Sequence, residues 1–167
     1  MPPPLLPVFA DMMLGRLATW LRLIGADVAY GNAIDDDELL RRAETEHRLV
    51  LTRDHALARR LAPEARFVIA HDRLADQLRQ VAAAFDLTGL RPFSRCVRCN
   101  VLIEEVDKEM VRERLWPYVY GTQERILRCP SCGRLYWGAT HPVRARRDLA
   151  RMLGEDFVAR LFEKNAG

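Results

Sequence analysis

Four cysteines stand in two Cys-x-x-Cys pairs, Cys96/Cys99 and Cys129/Cys132, with 29 residues between the pairs. They are the only cysteines in the chain. A two-residue spacer forms a tight turn that aims both sulfurs at one point, so two such turns make a closed tetrahedral site for a single ion. Any fold of this chain must therefore bring the two pairs together, and the donor set is that of structural zinc, Zn2+. Two other uses of cysteine fit less well. Disulfide scaffolds are short, secreted and cysteine-dense, whereas this chain has four cysteines in 167 residues and opens Met1-Pro2-Pro3-Pro4-Leu5-Leu6-Pro7, without the basic start and apolar run of a secretory leader. A thioredoxin-like pair would open a helix after a strand, whereas Cys129-Pro130-Ser131-Cys132-Gly133 follows a strand-like run and enters a knuckle. A four-thiolate zinc site staples a fold and performs no reaction, so any chemistry belongs elsewhere.

The length allows one domain, or a core domain with a small appendage. An apolar content of 49% can supply a buried core. No stretch approaches the roughly eighteen continuous apolar residues of a membrane span, and a soluble, cytoplasmic protein is expected. The formal charge of +3 hides an asymmetry: residues 1–90 carry 11 Arg against 13 acids, and residues 91–167 carry 15 Lys and Arg against 10 acids. A basic cysteine module suits a polyanion, and an acidic half suits cations.

The first ninety residues alternate strand and helix signals. Pro7-Val8-Phe9-Ala10 is a short apolar run ending at Asp11, and residues 13–24 then place Leu14, Leu17, Ala18, Leu21 and Ile24 at helical spacing up to Gly25. Asp27-Val28-Ala29-Tyr30 reads as a second strand, Asp35-Asp36-Asp37-Glu38 opens a second helix, and Leu49-Val50-Leu51-Thr52 is a buried strand ending in Arg53-Asp54. A helix over 55–61, a strand over 66–70 and a helix over 74–85 complete the series. This order predicts an α/β fold with a parallel sheet flanked by helices on both faces. Its divisions are residues 1–90, a cysteine module over 91–142 with ribbon strands from 101–127, and a C-terminal helical segment over 143–167. Trp116-Pro117-Tyr118 reads as a loop or cap, a basic helix containing Arg144, Arg146, Arg147 and Arg151 follows the second knuckle, and residues 149–162 have helical spacing and cover part of the core.

Sites on open parallel sheets form beyond the carboxyl ends of the strands. Asp11, Asp54 and Asp72 follow strands, and Asp35, Asp36, Asp37 and Glu38 start a helix on the same edge. Each has an ordinary use as a helix cap. Several carboxylates at one edge repel unless cations neutralise them, which points to Mg2+ or Mn2+. The chemistry suited to such a cluster is phosphodiester hydrolysis. His55 and His71, each beside an acid, read as surface or helix-start residues.

The run Phe9-Ala10-Asp11-Met12-Met13-Leu14-Gly15-Arg16-Leu17-Ala18-Thr19-Trp20-Leu21-Arg22-Leu23-Ile24-Gly25 resembles the opening of the Mut-seven C-terminal RNase domain family, a branch of the PIN-like nucleases. Asp36-Asp37-Glu38-Leu39, Leu51-Thr52-Arg53-Asp54, Cys96-Val97-Arg98-Cys99-Asn100 and Cys129-Pro130-Ser131-Cys132-Gly133 with Tyr136-Trp137 resemble further segments of that family, in the same order over roughly residues 8–150. The resemblance implies a PIN-like nuclease domain followed by a small four-cysteine zinc ribbon, acting as a metal-dependent ribonuclease on RNA. It makes Asp11, Asp37 and Asp54 the acidic centre for Mg2+ or Mn2+, with Asp36 able to replace or assist Asp37, and Asp72 or Asp76 as a fourth carboxylate.

Arg16, Arg22 and Arg53 are placed to approach phosphate, Arg22 with an internal ion pair as its equal alternative. Trp137, His141 and Arg144 are candidates to stack on bases and grip the backbone, packing being the plainer role for Trp137. Two other functions stay open: a non-catalytic RNA-binding module, and a protein-interaction adaptor in RNA processing. A homodimer and an RNA-processing protein partner are the assemblies left open.

Overall fold

Four short strands, Val8–Ala10 (β1), Val28–Tyr30 (β2), Leu49–Thr52 (β3) and Arg66–Val68 (β4), pair in parallel in the order β2-β1-β3-β4. The computed structural model describes residues 1–31, 33–138 and 140–163, the side chains of Thr140 and His141 excepted. Successive strand residues point to opposite faces, and the sheet divides its side chains accordingly. Val8, Ala10, Val28, Leu49 and Leu51 face one buried layer with Leu17 and Leu21 of helix α1 (Gly15–Leu23) and Leu78 and Val81 of helix α4 (Leu74–Ala84). Phe9, Ala29 and Val50 face the other, against Leu39 and Ala43 of helix α2 (Asp36–Thr45) and Leu57 of helix α3 (His55–Arg59). A sheet covered on both faces favours apolar strand positions, which is why β1 and the first three residues of β3 read as apolar runs.

The helix expected from residue 13 starts later. Asp11 caps a 3-10 turn over Met12–Leu14, accepting from the Met13 N–H at 2.8 Å, and α1 begins only at Gly15. Gly25 ends it with φ +97, and a Cβ there would collide with the Arg91 backbone, so the position needs both the left-handed conformation and the absent side chain.

Beyond residue 95, three antiparallel strands, Glu104–Val106 (β5), Ile126–Arg128 (β6) and Leu135–Trp137 (β7), form a second sheet in the order β5-β6-β7. The segment between β5 and β6 is more helical than its sequence reading. A 3-10 helix over Lys108–Arg114 leads into helix α5 (Pro117–Thr122), whose first residue is a proline, pre-set for a first turn. Val111, Leu115 and Val119 from this insert pack on Ile126, a small core of the module's own. Glu105 pairs with Arg125 and Glu104 with Arg128 at the surface of the module.

The basic helix is α6 (Thr140–Leu153), and the helical spacing over 149–162 is shared between its end and a further helix, α7 (Glu155–Glu163). Gly154 separates them at φ +91, a conformation a continuous helix does not contain. Leu149, Val158 and Leu161 are buried in the same layer as β1 and α1. Among the described residues, no helix is long and apolar enough to cross a membrane.

Candidate active site and metal centre

The carboxyl edge of the parallel sheet carries two aspartates joined through one hydroxyl. Asp11, 4% exposed, follows β1, and its Oδ2 accepts from the Thr52 Oγ1 hydroxyl and from the Arg53 N–H at 3.1 Å. The same Thr52 hydroxyl accepts the Asp54 N–H at 2.9 Å. Asp54 in turn caps α3, its Oδ1 accepting from Ala56 and Leu57. Strand β3 thus fixes the Asp11 carboxylate and the Asp54 backbone through a fully buried side chain. Thr52 was not among the residues singled out by sequence. Its signal was a hydroxyl at the last position of a buried apolar strand, two residues before a candidate acid. Tyr30 also supports this edge: its hydroxyl donates to the Met12 carbonyl at 3.1 Å, and Gly15 leaves room for its ring.

Of the remaining acids, Asp35 caps a helix, and Asp36, Asp37, Asp72 and Asp76 lie beside arginines. Asp35 caps α2 through the Glu38 N–H. Asp37, 83% exposed, pairs with Arg60, and Asp36 lies 3.9 Å from the same guanidinium. This hydrogen bond to Asp37 raises the pKa of Arg60. Asp72 pairs with Arg53, and Asp76 with Arg79. Arg16 is exposed in the first turn of α1. Among the described residues, the acids do not bring three ligand oxygens within the 4.8 Å of one another that the cysteines achieve.

The cysteine centre is assembled. One sulfur from each of Cys96, Cys99, Cys129 and Cys132 lies within 4.8 Å of the others, with Cys96 and Cys129 fully buried. The two knuckles repeat one another. In each, the second cysteine N–H points at the first sulfur at 3.4 Å, and the following residue takes positive φ, Asn100 at 67 and Gly133 at 69. Their N–H groups return to the carbonyls of Cys96 and Cys129. Burial would push the Cys96 thiol up, but hydrogen bonds from the Tyr136 hydroxyl at 3.0 Å and from backbone N–H groups outweigh it and hold it at about 6. Cys99, hydrogen-bonded to the Cys132 sulfur, is pushed up to about 11. Four soft, convergent thiol ligands suit structural zinc.

Arg22 lies far from the acids. It is 6% exposed at the last turn of α1, and its Nε donates to the Val28 carbonyl at 2.8 Å while Nη1 donates to the Val97 and Arg98 carbonyls, each at 3.0 Å. Its guanidinium ties the Cys96 knuckle to the amino edge of the parallel sheet, opposite Asp11. Burial lowers its pKa. Asn100 completes the tie: its Oδ1 accepts the Val28 N–H at 2.9 Å and its Nδ2 donates to Asp27 at 2.7 Å. Replacing Arg22 with Met would leave three carbonyls without their donor, at a cost of about 3 kcal/mol. Thermal unfolding should register a fall in Tm of about 6–12 °C, and a fall under about 2 °C would contradict the tie.

Asp27 supplies the acidic counterpart. Arg48 donates to it at 2.6 Å and Arg95 approaches at 3.6 Å. Burial raises the Asp27 pKa, but the hydrogen bonds from Arg48 and Asn100 outweigh it and leave it lowered. A lowered folded-state pKa adds stability above the unfolded value, about 4, that is lost as pH falls through the folded value. Asp27→Asn should therefore cost about 1–2 kcal/mol at pH 7. Urea titrations of both proteins should converge below about pH 4; a gap independent of pH would refute the ionic contribution.

Of the remaining candidates, Trp137 is half-buried and packs against the module's core, and Arg144 is exposed on α6. The His141 side chain lies outside the described residues. A family model for the Mut7-C RNAse domain matches residues 7–149 of the 167. The chain belongs to the Mut7-C RNase domain family. The family match begins just before β1 and ends within α6, so it contains the strand-end acids and both cysteine knuckles. No curated protein and no solved structure matches the chain significantly.

Proposed function

We propose that the chain is a metal-dependent ribonuclease of PIN-like architecture that hydrolyses RNA phosphodiester bonds at the carboxyl edge of its parallel sheet. Asp11, Asp37 and Asp54 form its acidic centre, with Asp36 and Asp72 as auxiliary carboxylates, and the cysteine module acts as a zinc ribbon that helps hold RNA. The observation that carries this reading is a ribonuclease family match on a chain whose two strand-end aspartates share one threonine hydroxyl.

The donors suit a hard cation. Mg2+ keeps several waters and needs only one or two protein carboxylates beside substrate phosphate, so Asp11 and Asp54 suffice without a third acid in close contact. Mg2+ or Mn2+ bound there would polarise the phosphate and acidify an attacking water. The chain's part is to hold the Asp11 carboxylate aimed at that edge, through donors from Met13, Thr52 and Arg53. Arg53 and Arg60 pair with Asp72 and Asp37 and carry the charge to meet a phosphate. These same ion pairs favour the second reading, a non-catalytic RNA-binding module, because they neutralise acids that a catalytic ion would use.

Manganese-dependent cleavage of structured and single-stranded RNAs, native chain against Asp11→Asn, separates the two. Cleavage by the native chain alone supports the nuclease. Equal activity in both rejects the acidic centre. RNA binding without cleavage by the native chain favours the module.

A further inference from the structure

A cleft of about 650 Å³ opens where the cysteine module meets the end of α1 and the start of α6. Leu23, Phe93, Leu127 and Tyr136 are among its lining residues. Strand pairing explains this composition. Trp137 and Leu135 share a face with Ile126 and the module's core, whereas Leu127 and Tyr136 are paired on the opposite face. Tyr136 is fixed there by its bond to the Cys96 sulfur, so the metal knuckle holds one wall in place.

The charged residues that line the cleft are arginines. Arg95, Arg125 and Arg134 line it, and no Asp or Glu is among its described lining residues. Arg95 is tied to the Gly25 and Asn100 carbonyls. Arg125 meets Glu105 on the surface. Arg134 is exposed and makes no ion pair among the described residues. An apolar, aromatic-walled slot of this size, edged by arginines, suits a planar apolar body carrying an anion. A bare phosphate gains nothing from the walls, and a paired base in a duplex cannot enter.

We propose that this cleft receives an unpaired nucleobase of single-stranded RNA, whose backbone phosphates are met by Arg125 and Arg134. The choice of RNA rests on the ribonuclease reading above. The cleft adjoins the amino edge of the sheet and the acids lie at the carboxyl edge, so the nine residues of α1, roughly 13 Å of helix, separate them. One strand of several nucleotides would span both, giving the protein a preference for substrates with an unpaired tail.

The test uses the zinc-loaded full chain carrying Asp11→Asn, so that binding is read without cleavage. Fluorescence anisotropy would compare a labelled oligouridylate, the same strand made abasic, and a blunt RNA duplex. The uridylate should bind about tenfold more tightly than the abasic strand, the stacking of a base being worth that much. Leu127→Trp, which fills the cleft without changing charge, should erase this difference. Arg125→Glu with Arg134→Glu should weaken the uridylate by about tenfold or more and flatten its salt dependence. Equal binding of uridylate and abasic strands, or a base preference unmoved by Leu127→Trp in a variant that retains zinc and native circular dichroism, would overturn the proposal. Cleavage by Asp11→Asn would instead overturn the acidic centre and leave the binding measurements standing.

Discussion

Stripping zinc from this chain should unfold the cysteine module and leave the parallel-sheet layer folded. The native protein should carry one zinc per chain by elemental analysis, and Cys129→Ser should carry none. The module's own core is small, four buried apolar residues from Val111 to Ile126, and by itself too little to offset the ordering of some forty residues. A four-thiolate zinc site supplies on the order of 10 kcal/mol toward folding. The α/β layers contain far more buried apolar surface and make no use of the ion. Limited proteolysis should therefore cut the metal-free chain between residues 96 and 137 while a fragment containing β1 to β4 survives. The surviving part should nonetheless be weakened, because Arg22 loses the Val97 and Arg98 carbonyls. A drop in Tm of about 10 °C or more is expected. Cleavage patterns that are identical with and without zinc would refute the structural role of the ion.

Asp11→Asn should reduce RNA cleavage by more than about 100-fold while costing little stability. The substitution keeps one side-chain oxygen for the Met13 N–H, but its amide meets the Thr52 hydroxyl and the Arg53 N–H with a donor. Loss of such contacts is worth about 1 kcal/mol, a fall of about 2–4 °C in Tm. Asp54→Asn is the complementary probe. Asparagine caps helices as well as aspartate, so α3 should be undisturbed, and a comparable loss of cleavage would isolate the charge from the fold. If Asp54→Asn cuts RNA as the native chain does, the assignment of Asp54 to the acidic centre is wrong.

Much of the first unit was legible because its information is local. The apolar runs at β1 and β3, the helical spacing of Leu17 and Leu21, and the capping pattern from Asp35 to Glu38 are each decided within a few residues. The insert between β5 and β6 was harder, since a seven-residue 3-10 helix and a six-residue α-helix are too short to show a period. Gly154 carried the break between α6 and α7, yet a lone glycine in a helical pattern is more often tolerated than obeyed.

The candidate site divides in the same way. Asp11 and Asp54 were found because strand ends are visible in sequence, but the hydroxyl of Thr52 that links them spans 41 residues to Asp11. Arg22 reads as a basic residue on a helix beside a candidate acid, and only its carbonyl partners 75 and 76 residues away reveal a structural tie. Asn100 shows why its knuckle does not end in glycine as the other does: it takes the positive φ, and its amide also joins Val28 and Asp27.

The sequence by itself determined the cysteine ligand set, the alternation of strand and helix, and the edge on which the acids lie, because spacing and side-chain period are properties of the chain alone. The tertiary structure decided that the cysteine module is fastened to the opposite edge, that an arginine-lined cleft opens beside it, and that Asp37 and Asp72 pair with arginines. These are contacts between segments far apart in sequence, set by how the layers pack, and no local pattern encodes them.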